Sequence, residues 1–132
     1  MPSPTTLKRA QADLRRGTSK STAAGEFVRE EMDHIRHGKH GARSTKQAIA
    51  IGLAKARRAG IDPGTPVTGS RRVKQHAARD AAAGRHPHKI GKTRSRASLK
   101  ALKREPHEAA SKKALSDHTV AVAKRRKRAK RA

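Results

Sequence analysis

The sequence predicts a mainly α-helical protein. A short helical hairpin at about residues 22–60 is preceded by a basic arm and followed by a largely disordered or helix-prone basic tail. Three observations favour this class. Apolar residues recur at helical spacing early in the chain, and this signal fades beyond residue 69. Leu, Ile, Val and Phe supply only 17 of the 132 residues, whereas alanine supplies 24. The net charge is +24. Because alanine buries little area, we expect a small core.

Residues 1–20 form the predicted basic N-terminal arm, and residues 5–16 within it have a helical pattern. Thr5 or Thr6 is the expected N-cap, and Gly17 is the expected stop. A helix this short is marginal in isolation.

Residues 22–37 form the first helix of the predicted hairpin domain, which spans residues 21–61. Thr22 is the expected N-cap, and Gly38 is placed to end the helix. Acidic residues lie toward its N-terminal part, where the helix dipole favours them. The apolar positions share one face and predict four core residues: Phe27, Val28, Met32 and Ile35.

Residues 44–60 have the clearest helix signature in the chain. Ser44 and Gln47 have the spacing of a capping box. Gly60 supplies a stop, after which Ile61 can fold back on the last turn as in a Schellman motif. The preceding loop is short, so this helix should turn back on the first one. Its predicted core residues are Ile49, Gly52 and Leu53, with Gly52 marking a close approach of the partner helix.

Residues 62–132 form the predicted Lys/Arg/Ala-rich tail, and its boundary lies near the Pro- and Gly-containing stretch 63–69. Residues 71–83 have a helical pattern whose apolar face is nearly all alanine. Residues 85–97 are interpreted as a linker. Pro106 is expected to open a last helix that reaches about residue 130.

The positive charge is concentrated in the second half of the chain, with a net charge of +8 over residues 1–60 and +16 over residues 61–132. Such a chain repels itself, and a polyanion relieves the repulsion. We expect nonspecific binding of DNA driven by counterion release, with RNA as a possible partner. The residues expected to contact phosphates are Lys46, Lys55, Arg57, Arg58, Arg71, Arg72, Lys100, Lys103, Arg104, Lys112, Lys113, Lys124, Arg125, Arg126, Lys127, Arg128, Lys130 and Arg131.

Three alternatives stay open. The acidic patch at residues 26–33 and the apolar face of residues 44–60 can form a protein-interaction module, with the tail as a generic anchor. The chain can also be an RNA- or ribosome-associated basic protein, and binding at an anionic membrane surface comes third. A homodimer is possible because a seam between two helices is thin.

No catalytic signature stands out, so we expect no enzymatic activity, no cofactor and no small-molecule substrate. The chain has no cysteine. His34, His37 and His40 are spaced by three, but they are interpreted as polar residues at a helix end and not as a metal site. No apolar run reaches the length of a membrane span, and the N-terminus lacks the apolar region of a secretory signal. We therefore expect a cytoplasmic location.

Three stretches carry a resemblance to a known family: residues 26–32, residues 37–60 with KQAIAIGLAKAR at 46–57, and residues 102–116. The chain resembles small, very basic bacterial proteins of uncharacterised function that share a KQAIAIGLxxAR-type domain. Some of them are labelled plasmid stabilization or DNA-binding proteins. The likeness is good over residues 20–61 and looser near the C-terminus. It implies a bacterial cytoplasmic or nucleoid setting, and it supplies no catalytic or ligand-binding residue.

Overall fold

The computed structural model describes residues 2–64, 70–86 and 89–131. Over these residues the chain is mainly α-helical, as predicted, and no strand occurs among them. The helices are α1 (Pro4–Arg15), α2 (Lys20–Arg36), α3 (Thr45–Arg58), α4 (Arg71–Arg85), α5 (Lys92–Lys103), a 3₁₀ turn (Glu108–Ala110) and α6 (Lys112–Arg131).

Serine side chains cap the N-termini of α1 and α2. Ser3 Oγ accepts a hydrogen bond from the Thr6 amide, and Ser19 Oγ accepts one from the Thr22 amide, each at 3.2 Å. The predictions of caps at Thr5 or Thr6 and at Thr22 were therefore wrong by about one turn. Thr6 and Thr22 instead lie three residues after the cap, in the first turn, where a backbone amide has no acceptor within the helix and bonds the serine hydroxyl.

Both predicted end signals of α3 are present. Ser44 Oγ accepts from the Gln47 amide at 3.1 Å, although the Gln47 side chain accepts from the amide of Arg43 and not from that of Ser44. At the other end Gly60 has φ +90°, a backbone conformation that residues with a Cβ rarely adopt. The Ile61 amide donates to the Ala56 carbonyl at 2.9 Å, so the predicted Schellman motif is confirmed.

Helices α2 and α3 pack antiparallel to each other, with Gly52 at the closest approach. A methyl group added at Gly52 would lie 2.6 Å from Val28 Cα. The close approach predicted at this glycine is therefore confirmed. On one side of the contact Phe27 packs in a cluster with Ala56, and on the other Ile35 packs with Ala48.

The core extends beyond these two helices. Ala10 of α1 and Ile61 join the Phe27 cluster, and Ala109 and Ala110 of the 3₁₀ turn join the Ile35 cluster. Segment 1–20, predicted as an arm, thus contributes a core residue. Of the seven predicted core residues, Phe27, Met32, Ile35 and Gly52 are buried, whereas Val28, Ile49 and Leu53 are partly buried.

Helix α4 lies against the C-terminal part of α3. Its Ala77 and Ala81 are buried, and a methyl group added at Gly84 would lie 2.0 Å from the Arg57 carbonyl oxygen. The predicted folded unit of residues 21–61 omitted this helix, because a face made of alanine gives little hydrophobic signal. Most of the predicted boundary 63–69 lies outside the described residues.

The loop after α2 is held by a segment more than sixty residues further along the chain. The Gly41 amide donates to the Leu102 carbonyl, and the Ala42 amide donates to the Pro106 carbonyl, both at 2.9 Å. The prediction that Pro106 opens the last helix was therefore wrong. Instead Ser111 Oγ accepts from the Ala114 amide at 3.1 Å, at the start of α6. The predicted linker 85–97 was also too long, since α5 begins at Lys92.

Candidate nucleic-acid interface and a buried polar cluster

Most cationic side chains of α3 bond other groups of the protein. Lys55 donates to the buried carboxylate of Glu31. Arg57 is only 7% exposed, and its guanidinium donates to the Gly64 carbonyl at 3.0 Å. The prediction that Lys55 and Arg57 face nucleic-acid phosphates is therefore corrected, since both side chains are held by groups of the protein itself.

Arg58 is half-exposed, but its Nε donates to Asp80 of α4 at 2.9 Å. This ion pair joins α3 to α4, so the Arg58 guanidinium is only partly available to bind a phosphate. Lys46 is the one predicted contact residue of α3 that is exposed and lacks an ion-pair partner among the residues described.

Helix α6 presents the largest group of unpaired cations. It contains nine Lys and Arg residues and one acid, Asp117. Leu115 packs against the core, but beyond it only His118 and Val122 are even partly buried. Among the residues described, no cation of α5 or α6 forms an ion pair. At 1.5 Å per residue the helix is about 30 Å long.

The other predicted contact residues are also exposed. Arg71 and Arg72 begin α4, and the remaining ones lie at the end of α5 or the start of α6: Lys100, Lys103, Arg104, Lys112 and Lys113. The residues from the end of α5 onward, together with α6, define the basic C-terminal surface, which we take as Lys100 to Arg131; Arg71 and Arg72 are not part of it.

The acids that form ion pairs with Lys or Arg lie in α1, α2, α4 and the stretch after α3. The carboxylates concerned are Asp13, Glu31, Asp62 and Asp80. Two members of the predicted acidic patch 26–33, Glu30 and Glu31, are thus buried in the fold. The apolar face of α3 is covered by α2. Both surfaces of the alternative protein-interaction module are therefore largely internal.

Glu31 is the centre of a buried polar cluster. Its side chain is fully buried, and its Oε2 lies 2.9 Å from Nε2 of His40, which is itself 5% exposed. The other ring nitrogen of His40 lies 2.9 Å from the Gly41 carbonyl oxygen. Both ring nitrogens of His40 therefore lie at hydrogen-bond distance from an oxygen atom.

His34 lies beside this pair, one turn after Glu30 and Glu31. Its Nε2 is 3.5 Å from Glu30 Oε1, and its Nδ1 is 3.7 Å from Glu31 Oε1. Burial lowers the pKa of His34 below 6.5, against the opposing effect of the two carboxylates. His34 is therefore mainly neutral near pH 7.

The structure brings together one donor atom each from Glu31, His34 and His40, all within 4.8 Å of one another. The histidine triplet considered from the sequence included His37 instead of Glu31. His37 is exposed, and its ring bonds the Asp33 carbonyl at 2.7 Å. The missed signal was the i, i+3 spacing of Glu31 and His34, which places both on one helix face.

A groove borders this cluster. Its volume is about 620 Å³, and its lining includes Ser3, Glu30, His34, His40 and Lys103. Glu30 Oε1 accepts from the Ser3 amide at 2.9 Å, whereas its buried Oε2 has no hydrogen-bond partner among the described residues.

A comparison with protein families, curated proteins and solved structures finds no match for this chain. In the described part of the sequence, no helix is sufficiently long and apolar to cross a bilayer.

Proposed function

We propose that this protein binds DNA without sequence specificity, through the basic C-terminal surface. The observation that carries the proposal is the solvent exposure of α6, where nine cations accompany a single acid. Asp117 is that acid, and among the residues described it forms no ion pair with a cation of α6.

The mechanism is charge neutralisation. Duplex DNA carries about one negative charge per 1.7 Å of axis, so about 30 Å of helix α6 lies alongside roughly 18 phosphates. Each phosphate contact releases condensed counterions, and this release drives association. The cations lie on all sides of the last turns, an arrangement that suits contacts with backbones and not with a fixed set of base edges.

Two features argue against readout of a particular sequence. Two of the four cations of α3, Lys55 and Arg57, are held by Glu31 and the Gly64 carbonyl, which leaves few side chains for a recognition helix. Phe27, the single aromatic residue of the chain, is fully buried, so it is not available to stack on bases. A bacterial nucleoid or plasmid setting fits the family resemblance and belongs to the same proposal. RNA is the second candidate, since it offers the same phosphates.

The test is a salt titration of binding to a short duplex. We compare the full chain with a triple variant in which Lys124, Arg125 and Arg126 are replaced by Gln. The matched control replaces three exposed cations of α1, Lys8, Arg9 and Arg15, by Gln. Both variants lose the same charge, so a difference between them reports on the location of the contacts.

We expect the slope of log K against log salt to fall by up to about 2.7 in the α6 variant and by much less in the α1 variant. Equal changes would contradict the assignment of the surface to α6. A parallel titration with duplex RNA and single-stranded RNA decides between the partners, because consistently tighter RNA binding would favour the ribosome-associated alternative.

A further inference from the structure

We propose that Glu31, His34 and His40 bind one divalent transition-metal ion of the zinc type, and that this ion fastens the loop after α2 to α2 itself. Two imidazoles and one carboxylate form a donor set that such ions accept. The inference rests on the geometry of the buried polar cluster and is independent of nucleic-acid binding.

The donor atoms lie slightly farther apart than they would around a bound metal ion. Around a tetrahedral ion with bonds of about 2.0–2.2 Å, ligand atoms lie about 3.4 Å apart. His40 Nε2 and Glu31 Oε2 are 2.9 Å apart, close to that separation. The donor atoms of the trio lie within 4.8 Å of one another, so they must approach by up to about 1.4 Å, and the most exposed of the three ligands is His34. Its side chain is 21% exposed at the border of the groove, where such a movement meets little resistance.

The groups behind the ligands are those that orient metal-binding side chains. A ligating histidine commonly donates its second ring N–H to a carbonyl or a carboxylate. His40 Nδ1 lies 2.9 Å from the Gly41 carbonyl, and His34 Nε2 lies 3.5 Å from Glu30 Oε1. The second oxygen of Glu31 accepts from Lys55 and leaves Oε2 for the ion.

The charges around the site permit a divalent ion. The Lys55 ammonium opposes it, as do Lys39 and Lys103 at the groove, but the Glu31 and Glu30 carboxylates are closer to the ligand atoms and favour it. Glu30 Oε2 is buried without a hydrogen-bond partner in the described part of the chain. That oxygen can accept a hydrogen bond from a water molecule on the metal. The groove leaves one coordination position accessible to solvent.

The experiment titrates the untagged full-length chain with Zn²⁺ by calorimetry, and with Co²⁺ by its visible absorption. Thermal unfolding is followed with and without Zn²⁺. The variants are His34→Gln and His40→Gln, and the matched control is His37→Gln, which changes an exposed histidine of the same segment. Helix content by circular dichroism verifies that each variant is folded.

We expect one Zn²⁺ per chain, a tetrahedral Co²⁺ spectrum, and a rise in Tm of about 5–10 °C at a Zn²⁺ concentration 100-fold above Kd. His34→Gln and His40→Gln should each weaken binding by more than about 100-fold, whereas His37→Gln should bind like the wild type. If His40→Gln unfolds, His34→Gln decides alone, because the His34 ring nitrogens lie 3.5 Å and 3.7 Å from their carboxylate neighbours and make weaker polar contacts than His40 does. Absence of binding, or binding that survives His34→Gln, would overturn the proposal.

Discussion

Replacement of Gly52 by alanine tests the close contact between α2 and α3. In an open helix position this change gains up to about 1 kcal/mol, because alanine has the higher helix propensity. At Gly52 the added methyl carbon would lie 2.6 Å from Val28 Cα and 2.8 Å from Val28 N. These are backbone atoms, so the two helices must separate. Overpacking of this kind costs about 1–3 kcal/mol, and backbone displacement places the cost near the upper end.

The expected result is a net loss of about 2 kcal/mol in the free energy of unfolding, measured by urea titration followed by circular dichroism. Gly25→Ala is the matched control, because Gly25 also lies inside a helix, α2, yet has no atom of a neighbouring element within 4 Å of an added methyl carbon. That variant should be more stable than the wild type by about 0.5–1 kcal/mol. If both variants changed stability by the same amount and sign, the reasoning about the helix contact would be refuted.

Four further predictions follow from the contacts. Glu31→Ala should lower the free energy of unfolding by about 3 kcal/mol in urea, since it leaves the buried His40 without its carboxylate; a loss below about 1 kcal/mol would contradict this. Ser44→Ala should cost about 1 kcal/mol in the same assay through loss of the α3 cap, whereas the exposed Ser98→Ala should be nearly neutral. Burial lowers the pKa of His34 below 6.5, so the unfolded chain takes up the proton more readily and stability falls as the pH drops below 6.5. In the presence of a chelator, urea midpoints at about pH 7.5 and pH 5.5 should differ less in His34→Gln than in the wild type. Finally, α6 carries like charges four residues apart, so its helicity by circular dichroism should rise when duplex DNA is added; an unchanged signal would count against a binding role for α6.

The sequence predicted the helical class and the close contact of α2 with α3 at Gly52, because the apolar residues of these two helices are bulky and periodic. It failed where packing depends on alanine. Ala10, Ala77 and Ala109 are all buried. Alanine also occurs on the exposed faces of helices, so its position in the sequence does not show which face of a helix packs on the core. The positions of α1, α4 and the 3₁₀ turn on the core follow from shape complementarity at short distance, which a pattern of hydrophobicity does not encode.

The site predictions failed for a related reason. Lys55 lies off the apolar arc of α3, so a helical projection places it in solvent. Its partner Glu31 lies on α2, and their contact depends on how the two helices are aligned. His40 reaches the cluster because the Gly41 amide bonds Leu102, far along the chain. Neither contact follows from local spacing.

The distribution of charge separates folding from binding in this chain. Four carboxylates of α1, α2, α4 and the short stretch after α3 form ion pairs with Lys and Arg, and they hold cations that would otherwise repel each other. The excess charge accumulates on α6, which meets the core mainly through its first turn at Leu115. Exposed charges more than about 10 Å apart are screened at moderate salt, so repulsion along the distal part of α6 has little effect on the core. Its exposure also leaves these cations accessible to a phosphate backbone. A protein with little bulky apolar material can therefore keep a stable alanine-lined core and a strongly cationic surface in a single chain.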